Sequence, residues 1–270
     1  WNLADGTCKL TFEGHENSVN AIALSRNGEW LYSGSHDKTI KKWNLADGTC
    51  KRTFDKHGNS VTSIALSRDG MWLYSGSNDD KIKKWNIADG ECKRTFEGHK
   101  NSVMAIALNT DEDRLYSGSR DGSIKVWNLV DGTCHNTFEG HQESVRAIAL
   151  SSDGEWLYSG SKDGSIKVKN LFDGTCHNTF KVHQESVRAI ALSSNGQILY
   201  SGSYDRTIKA WNLVDGTCQP TFGQHQESVN AIALSENEQW LYSVSSDRKI
   251  KKWDVATGKC LRIITVNKNN

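Results

Sequence analysis

Serine, histidine and aspartate recur together along this chain, and these three residue types can form a hydrolytic triad in which His takes a proton from the Ser hydroxyl. The first set is His15, Ser33 and Asp37, and equivalent sets follow at intervals of 42 residues. An enzyme needs one such centre, and the sequence has no G-x-S-x-G nucleophile elbow. The sixfold recurrence favours a framework role for these residues, and we expect a protein that is not an enzyme.

Cysteine and histidine could also bind metal ions, but their spacing argues against it. The seven cysteines, each 42 residues after the last, are Cys8, Cys50, Cys92, Cys134, Cys176, Cys218 and Cys260. Equivalent points of successive repeats lie too far apart for a disulfide, and single histidines at that spacing do not converge on a tetrahedral site. The cysteines are expected to be reduced, small apolar packing residues. No phosphate-binding glycine loop is present either, so we expect no metal and no cofactor.

The bulk composition is that of an ordinary globular protein. Lys and Arg number 33 against 32 Asp and Glu, for a net charge of +1, so we do not expect a nucleic-acid partner. No apolar run approaches the roughly 18 residues that span a bilayer, which excludes membrane insertion by a helix. Reduced cysteines and the absence of an N-x-[ST] sequon favour a cytoplasmic location.

Each 42-residue repeat predicts four short strands. In the first repeat, runs of β-branched, aromatic and alternating residues predict strands at 18–25, 30–35, 39–45 and 49–54. Asn27-Gly28 and Asp47-Gly48 favour the turns that close tight hairpins. One repeat is therefore a four-stranded antiparallel meander, and its recurrence near a period of 40 favours an all-β propeller.

A fourth residue joins each His, Ser and Asp, and it carries a family resemblance. In the first repeat it is Trp43. Gly-His, a strand-borne Ser, a turn Asp and a strand-borne Trp at these offsets resemble the structural tetrad of WD40 (β-transducin-like) repeats. The complete tetrads are His15/Ser33/Asp37/Trp43, His57/Ser75/Asp79/Trp85, His99/Ser117/Asp121/Trp127, His183/Ser201/Asp205/Trp211 and His225/Ser243/Asp247/Trp253. The side chains can form a hydrogen-bonded chain that links strands and a loop.

Several positions depart from the repeat, among them one in the fourth repeat and one in the sixth. The fourth repeat has His141, Ser159 and Asp163, but Lys169 stands where Trp is expected, so this blade is predicted to lose packing and part of its network. In the sixth repeat, Val244 replaces the Gly between the two Ser of the second strand.

The resemblance implies a single domain over residues 1–270. Its repeats are expected at about 15–56, 57–98, 99–140, 141–182, 183–224 and 225–266, with 1–14 a partial repeat. Because WD40 propellers usually have seven blades, the N-terminal segment predicts a surplus strand of an incomplete seventh blade, which about 25 upstream residues would complete. A closed six-bladed ring with a displaced N-terminal strand, or an open ring completed by a partner, are the alternatives.

Positions that vary between repeats are the candidates for binding. One set follows the Ser-Val that opens the first strand, and the other precedes the tetrad Asp. Repeats three to five carry a basic set with an aromatic residue, namely Met104, Arg120, Arg146, Lys162, Arg188 and Tyr204. Arg and Tyr are common interface hot spots, and clustered Arg favours carboxylate or phosphate. Alternatively, Arg146 and Arg188 merely pair with Glu143 and Glu185.

The sequence thus predicts a scaffold that docks an acidic or phosphorylated protein segment on the loop-rich rim around the central channel. Two other functions stay open. The repeats could be a regulatory or substrate-targeting module of a longer kinase or ubiquitin-ligase type enzyme, or a structural subunit of a large assembly that binds through its outer strands.

Overall fold

The computed structural model describes residues 2, 5–181, 183–219 and 222–266, and these residues form 23 strands and no helix. Accordingly, no helix in this part of the chain is long and apolar enough to cross a membrane. Each repeat folds into one sheet, which we call a blade. The strands form antiparallel meanders in chain order, as the sequence predicts.

The chain divides into two compact units, one up to Gly140 and one from His141. The first unit holds blade 1 (β1 Val19–Leu24, β2 Trp30–Ser35, β3 Ile40–Asn44, β4 Cys50–Phe54), blade 2 (β5 Val61–Leu66, β6 Trp72–Ser77, β7 Ile82–Asn86, β8 Cys92–Phe96) and blade 3 (β9 Val103–Leu108, β10 Arg114–Ser119, β11 Ile124–Asn128, β12 Cys134–Phe138).

The second unit holds blade 4 (β13 Val145–Leu150, β14 Trp156–Ser161, β15 Ser165–Asn170, β16 Cys176–Lys181), blade 5 (β17 Val187–Leu192, β18 Ile198–Ser203, β19 Ile208–Asn212) and blade 6 (β20 Val229–Leu234, β21 Trp240–Ser245, β22 Lys249–Asp254, β23 Cys260–Thr265). In blade 5 the place of a fourth strand is marked by one antiparallel bridge between Trp211 and Cys218.

Neighbouring blades within each unit bury apolar side chains against each other. Tyr32, Ile40 and Phe54 of blade 1 pack on Leu73 and Trp85 of blade 2. Equivalent cores join blades 2 and 3, blades 4 and 5, and blades 5 and 6. Where the next blade covers a sheet in this way, the β-branched and aromatic residues of that face gain the burial that stabilises the sheet.

A glycine in the second strand of the blade makes this close packing possible. A Cβ atom at Gly34 would lie 2.6 Å from Val61 Cγ1, and one at Gly160 would lie 2.6 Å from Val187 Cγ1. In blade 6, Val244 occupies this position and is 43% exposed.

The N-terminal segment, residues 5–14, has the sequence pattern of a repeat, but its described residues form no strand. Thr7 N donates to Asp5 Oδ1 at 2.8 Å, the same turn bond that Thr49 N makes to Asp47 at 2.8 Å. Phe12 meets Trp43 edge to face with ring centroids 5.7 Å apart. Residues 5–14 thus keep the turn and the aromatic contact of a repeat, while residues 1, 3 and 4 lie outside the described part.

The cysteines differ from the prediction that they are packing residues. All seven thiols are free, and all except the half-exposed Cys92 are exposed. In blades 1, 2, 3, 4 and 6 the cysteine is the first residue of the fourth strand, and the Cys50 thiol donates to the Arg52 carbonyl at 3.4 Å. That prediction was wrong because the fourth strand is the outer one and its first residue is not covered by a neighbouring blade.

Candidate functional site

In all six blades the structure brings His, Ser and Asp together. His Nδ1 lies 2.7 to 3.2 Å from the Asp carboxylate, and His Nε2 lies 2.7 to 2.8 Å from the Ser hydroxyl. In the five complete tetrads the Trp indole donates to the same hydroxyl at 2.7 to 3.0 Å. Each tetrad therefore ties two strands to the loop that carries His and the turn that carries Asp.

The electrostatics of the tetrads hold the carboxylates ionised. Burial alone would raise the pKa of Asp79, but hydrogen bonds from His57, Gly58 N and Lys81 N lower it to about 2. Hydrogen bonds outweigh burial in the same way in the other tetrads and lower the pKa of each Asp. Burial lowers the pKa of His225 despite its bond to Asp247. In blade 6, an ionised Asp247 and a neutral His225 suit a fixed network.

The tetrad serines are enclosed within the blades and are poorly placed to act as nucleophiles. Ser33 is 4% exposed, and the other tetrad serines are fully buried at 0% exposure, namely Ser75, Ser117, Ser159, Ser201 and Ser243. A hydroxyl that also accepts an indole N–H bond is held inside the blade, where a substrate does not reach it. A hydrolytic role, which the residue types alone would allow, therefore does not fit these serines.

The tetrad indoles are enclosed in the same way. Those with at most 1% exposure are Trp43, Trp85, Trp127 and Trp253, and Trp211 is 2% exposed. In blade 6, for example, Trp253 Nε1 donates to Ser243 Oγ at 2.8 Å. The buried serines and indoles thus do not form a surface that a ligand could contact. The geometry favours the framework role for the whole tetrad.

Blade 4 lacks the indole, as the sequence indicates. Lys169 is buried, with 4% exposure, and Ser159 keeps its bond to His141 at 2.8 Å. The His141–Asp163 distance of 3.2 Å is the longest of the six. Phe180 of blade 4 stacks on the Trp211 indole of blade 5 at an interplanar angle of 28°. The equivalent Phe rings of other blades meet the indole of the next blade edge to face.

The two variable positions of each blade lie at one end of it, which we call the rim end. The backbone N–H of the residue before the tetrad Asp donates to the carbonyl of the Ser that opens the first strand, at 2.8 to 3.0 Å in every blade. This bond joins the start of the first strand to the end of the second. The structure thus places both variable residues side by side within each blade.

In the first unit the rim end of blade 3 carries Met104 and Arg120. Met104 is half-buried in β9, and Arg120 is exposed in the turn after β10, with its N–H bonded to Ser102 O at 2.8 Å.

In the second unit, Arg146 and Lys162 lie at the rim end of blade 4, and Arg188 and Tyr204 at that of blade 5. Lys162 contacts Glu143 at 3.3 Å, with both side chains about half exposed. The Arg188 guanidinium lies over the Tyr204 ring at 5.0 Å. Tyr204 is 51% exposed.

Arg188 also reaches the neighbouring blade. Its Nη1 donates to Asn230 Oδ1 of blade 6 at 2.9 Å, and Asn230 Nδ2 donates to Ser246 Oγ at 2.9 Å. The variable positions of blades 5 and 6 therefore form one connected polar surface.

Sequence reasoning missed the β-bulge that aims the first variable residue. In every blade the pairing of the first two strands shifts register at this position, as where Val187 pairs Ser203 but Ala189 pairs Gly202. Bulges re-aim side chains and are enriched beside functional sites. The signal was present in the Ser-Val-x-Ala-Ile-Ala pattern, where strict alternation fails after Val.

Six antiparallel repeats of one design, each with a buried His–Ser–Asp network and with close packing between neighbouring blades within each unit, define a β-propeller built from repeated blades. The family model described as "WD domain, G-beta repeat" matches residues 6–44, 48–86, 90–128, 132–168, 174–212 and 216–254. The chain belongs to this WD40 family. Its fourth match ends one residue before Lys169.

A curated relative matches a shorter stretch. The transcriptional repressor tup12 of Schizosaccharomyces pombe is 44% identical over 36 residues, which is 13% of this chain and 6% of the relative. WD40 propellers are typical of protein-interaction scaffolds and are generally not enzymes themselves.

Proposed function

We propose that this protein is an adaptor whose rim end docks an acidic or phosphorylated segment of a partner protein, with Arg188 and Tyr204 at the centre of the contact. The observation that carries the proposal is the Arg188 guanidinium, stacked on an exposed tyrosine. A stacked guanidinium is pre-organised, so little freedom is lost when it binds a carboxylate or phosphate.

Two buried polar atoms beside this pair support an anionic ligand. Arg188 Nε and Ser186 Oγ have no hydrogen-bond partner among the described residues. Ser186 is only 8% exposed, and its carbonyl accepts the Tyr204 N–H at 2.8 Å. Unpaired buried donors are costly, and a ligand oxygen would satisfy them.

The neighbouring acids leave Arg188 available. In the described residues no ion pair joins Arg188 to Glu185, and Glu143 contacts Lys162 instead. An exposed Lys–Glu pair contributes at most about 1 kcal/mol. An incoming carboxylate can therefore displace Glu143 at little cost.

The relative's description as a transcriptional repressor fits an adaptor that works through partner proteins. The match spans 36 residues, less than one 42-residue repeat, so we take from it only this general kind of role.

Peptide binding tests the proposal. Fluorescence anisotropy would follow a labelled 12-residue Glu-rich peptide, its phosphoserine counterpart and a Gln-substituted peptide. Because charge-assisted hydrogen bonds contribute about 1.5–3 kcal/mol, we expect Arg188→Glu to weaken binding of the charged peptides at least ~10-fold. The Gln-substituted peptide should bind weakly to every variant.

Arg26→Glu is the matched control, since Arg26 is exposed in the turn after β1, at the opposite end of a blade. It makes the same change in net charge and should leave binding within about twofold. Undiminished binding of the charged peptides by the triple variant Arg120→Glu, Arg146→Glu and Arg188→Glu would overturn the proposal.

A further inference from the structure

Four tryptophans open the second strand of their blades, at the end opposite the rim. In three of these blades, a lysine of the same blade lies over the indole. Lys42 Nζ lies 4.2 Å from the centroid of Trp30, Lys84 Nζ 4.2 Å from that of Trp72, and Lys252 Nζ 4.1 Å from that of Trp240. These are close cation–π contacts, which stabilise a charge beside an aromatic face.

Blade 4 has the tryptophan without the lysine. Trp156 opens β14, and the position equivalent to Lys42 is Val168, which pairs with Tyr158 just as Lys42 pairs with Tyr32. The position equivalent to Arg52, which faces Lys42 across the strand pair, is Asn178. Both basic residues of the repeat are therefore replaced by uncharged ones in this blade.

A cavity of about 250 Å³ lies at this place between blades 4 and 5. Its lining includes Trp156, Tyr158, Val168, Phe180 and Asp153. Among the described residues that line it, none is a Lys or Arg. The comparable cavity between blades 1 and 2, of about 320 Å³, is lined by Arg26, Lys42 and Arg68.

Asp153 gives the blade 4 cavity a negative charge. Hydrogen bonds from Ser151 Oγ and from Glu155 N, the latter at 2.9 Å, lower the pKa of Asp153, so the carboxylate is ionised at neutral pH. An ionised carboxylate beside aromatic rings complements a cation.

Two more residues shape the opening. His177 lies at the register shift between β15 and β16, and its ring meets Trp156 at 5.0 Å with an interplanar angle of 53°. It forms a further aromatic wall. Val214, in the turn of blade 5 after β19, lines the cavity and is 80% exposed. It can therefore contact the aliphatic part of an incoming lysine side chain or a residue next to that lysine.

We propose that this cavity binds the ammonium group of a lysine side chain from a basic segment of a partner protein. The ligand would take the place over Trp156 that the blade's own lysine takes in blades 1, 2 and 6, with its charge facing Asp153. The site lies at the opposite end of the blade from the rim end and does not depend on the function proposed above.

NMR of the indole N–H groups of the full chain tests this directly, with Trp156→Phe used to assign the Trp156 signal. The probe is Nα-acetyl-lysine N-methylamide, and its neutral analogue is the norleucine derivative, which lacks the ammonium group. We expect a saturable shift of the Trp156 signal with lysine and binding about fivefold or more weaker with norleucine. The signals of Trp30, Trp72 and Trp240 should stay in place because their lysines occupy them.

Two variants sharpen the test. Val168→Lys gives blade 4 the residue of blades 1, 2 and 6, so it should abolish the shift at Trp156. The double variant Lys84→Val with Arg94→Asn gives blade 2 the residues of blade 4, so a lysine-dependent shift should appear at Trp72. This gain of binding cannot arise from misfolding.

The outcomes separate cleanly. Equal affinity for norleucine would show an apolar pocket and overturn the proposal, as would a Trp156 shift that persists in Val168→Lys. Equal shifts at all four tryptophans would show a general salt effect and also overturn it. Loss in Val168→Lys together with gain at Trp72 in the double variant supports it.

Discussion

At the scale of single residues, the hydrogen-bond networks distinguish the buried tetrad residues from the exposed candidates for binding. Ser159 retains its His141 contact without an indole donor, so blade 4 shows how much of a tetrad persists when one member changes. The indole in other blades is buried and hydrogen-bonded, as with Trp127, which is 1% exposed and donates to Ser117 at 2.8 Å. Burial of that indole and its bond are what blade 4 lacks.

We predict that Lys169→Trp stabilises the protein. The substitution places an apolar ring and an N–H donor in a position that is only 4% exposed and is equivalent to that of Trp43, whose indole donates to Ser33. The gain should be about 1 kcal/mol or more, which raises the melting temperature by about 2–4 °C in a chain of this size. Differential scanning calorimetry measures it, with Lys167→Trp on the same strand as a control. A fall in melting temperature would contradict the prediction.

Acid should destabilise the protein in two stages. Burial lowers the pKa of His225 from 6.5, so the folded state resists protonation and the free energy of unfolding falls as pH drops below about 6.5. The pKa of Asp79 is lowered from 3.8 to about 2, so its stabilisation is present above about pH 4 and is lost toward pH 2.

Urea unfolding between pH 8 and 2.5 checks both stages. The His225→Gln variant should lose part of the upper stage, whereas His36→Gln, at an exposed position, should keep it. A free energy of unfolding that does not change between pH 7 and 5 in the unmodified protein would refute the upper stage.

At the scale of strands, the sequence predicted the elements well because each boundary has a local cause. Strands predicted at 18–25 and 39–45 are observed at Val19–Leu24 and Ile40–Asn44, and Gly28 adopts the positive φ of 70° that its turn requires. The bulge and the aim of Arg188 could not be predicted this way. They depend on how one strand registers against another and on the contact with Asn230 of the next blade.

Close blade packing makes a specific prediction for the second-strand glycines. A Cβ atom at Gly76 would lie 2.6 Å from Ser63 Oγ and 2.7 Å from Val103 Cγ1. Gly76→Ala should therefore lower the free energy of unfolding by about 1–3 kcal/mol, the usual cost of overpacking. The midpoint of urea unfolding measures the change.

Val244 offers the control at the same repeat position. It is 43% exposed, so Val244→Ala should cost less than about 1 kcal/mol. If the two substitutions had equal effects, the glycine would not be explained by the approach of the next blade.

At the scale of the molecule, the regular repeat determines the fold, whereas the two proposed binding sites lie at positions where the repeats differ. The period of 42 residues was enough to predict the blades, since each is the same local solution used again. The cavity in blade 4 could not be found in one repeat. Its recognition requires two things, namely the comparison of Val168 with Lys42 and the lining residues that blade 5 adds.

The two proposed sites should act independently, because they lie at opposite ends of the same blades. Six-residue strands such as β14 separate them by on the order of 20 Å, more than twice the Debye length of about 8 Å at physiological salt. We therefore expect Arg188→Glu to leave the affinity for Nα-acetyl-lysine N-methylamide within about twofold. Likewise, Val168→Lys should leave the affinity for the Glu-rich peptide within about twofold.

Titrations of each ligand in the presence of the other measure any coupling, which must be reciprocal if it exists. Two independent sites of opposite charge preference would let one propeller hold an acidic segment and a basic segment at once. That arrangement suits an adaptor that brings two partners together. A reciprocal change in affinity of more than about fivefold would instead show that the blades transmit binding from one end to the other.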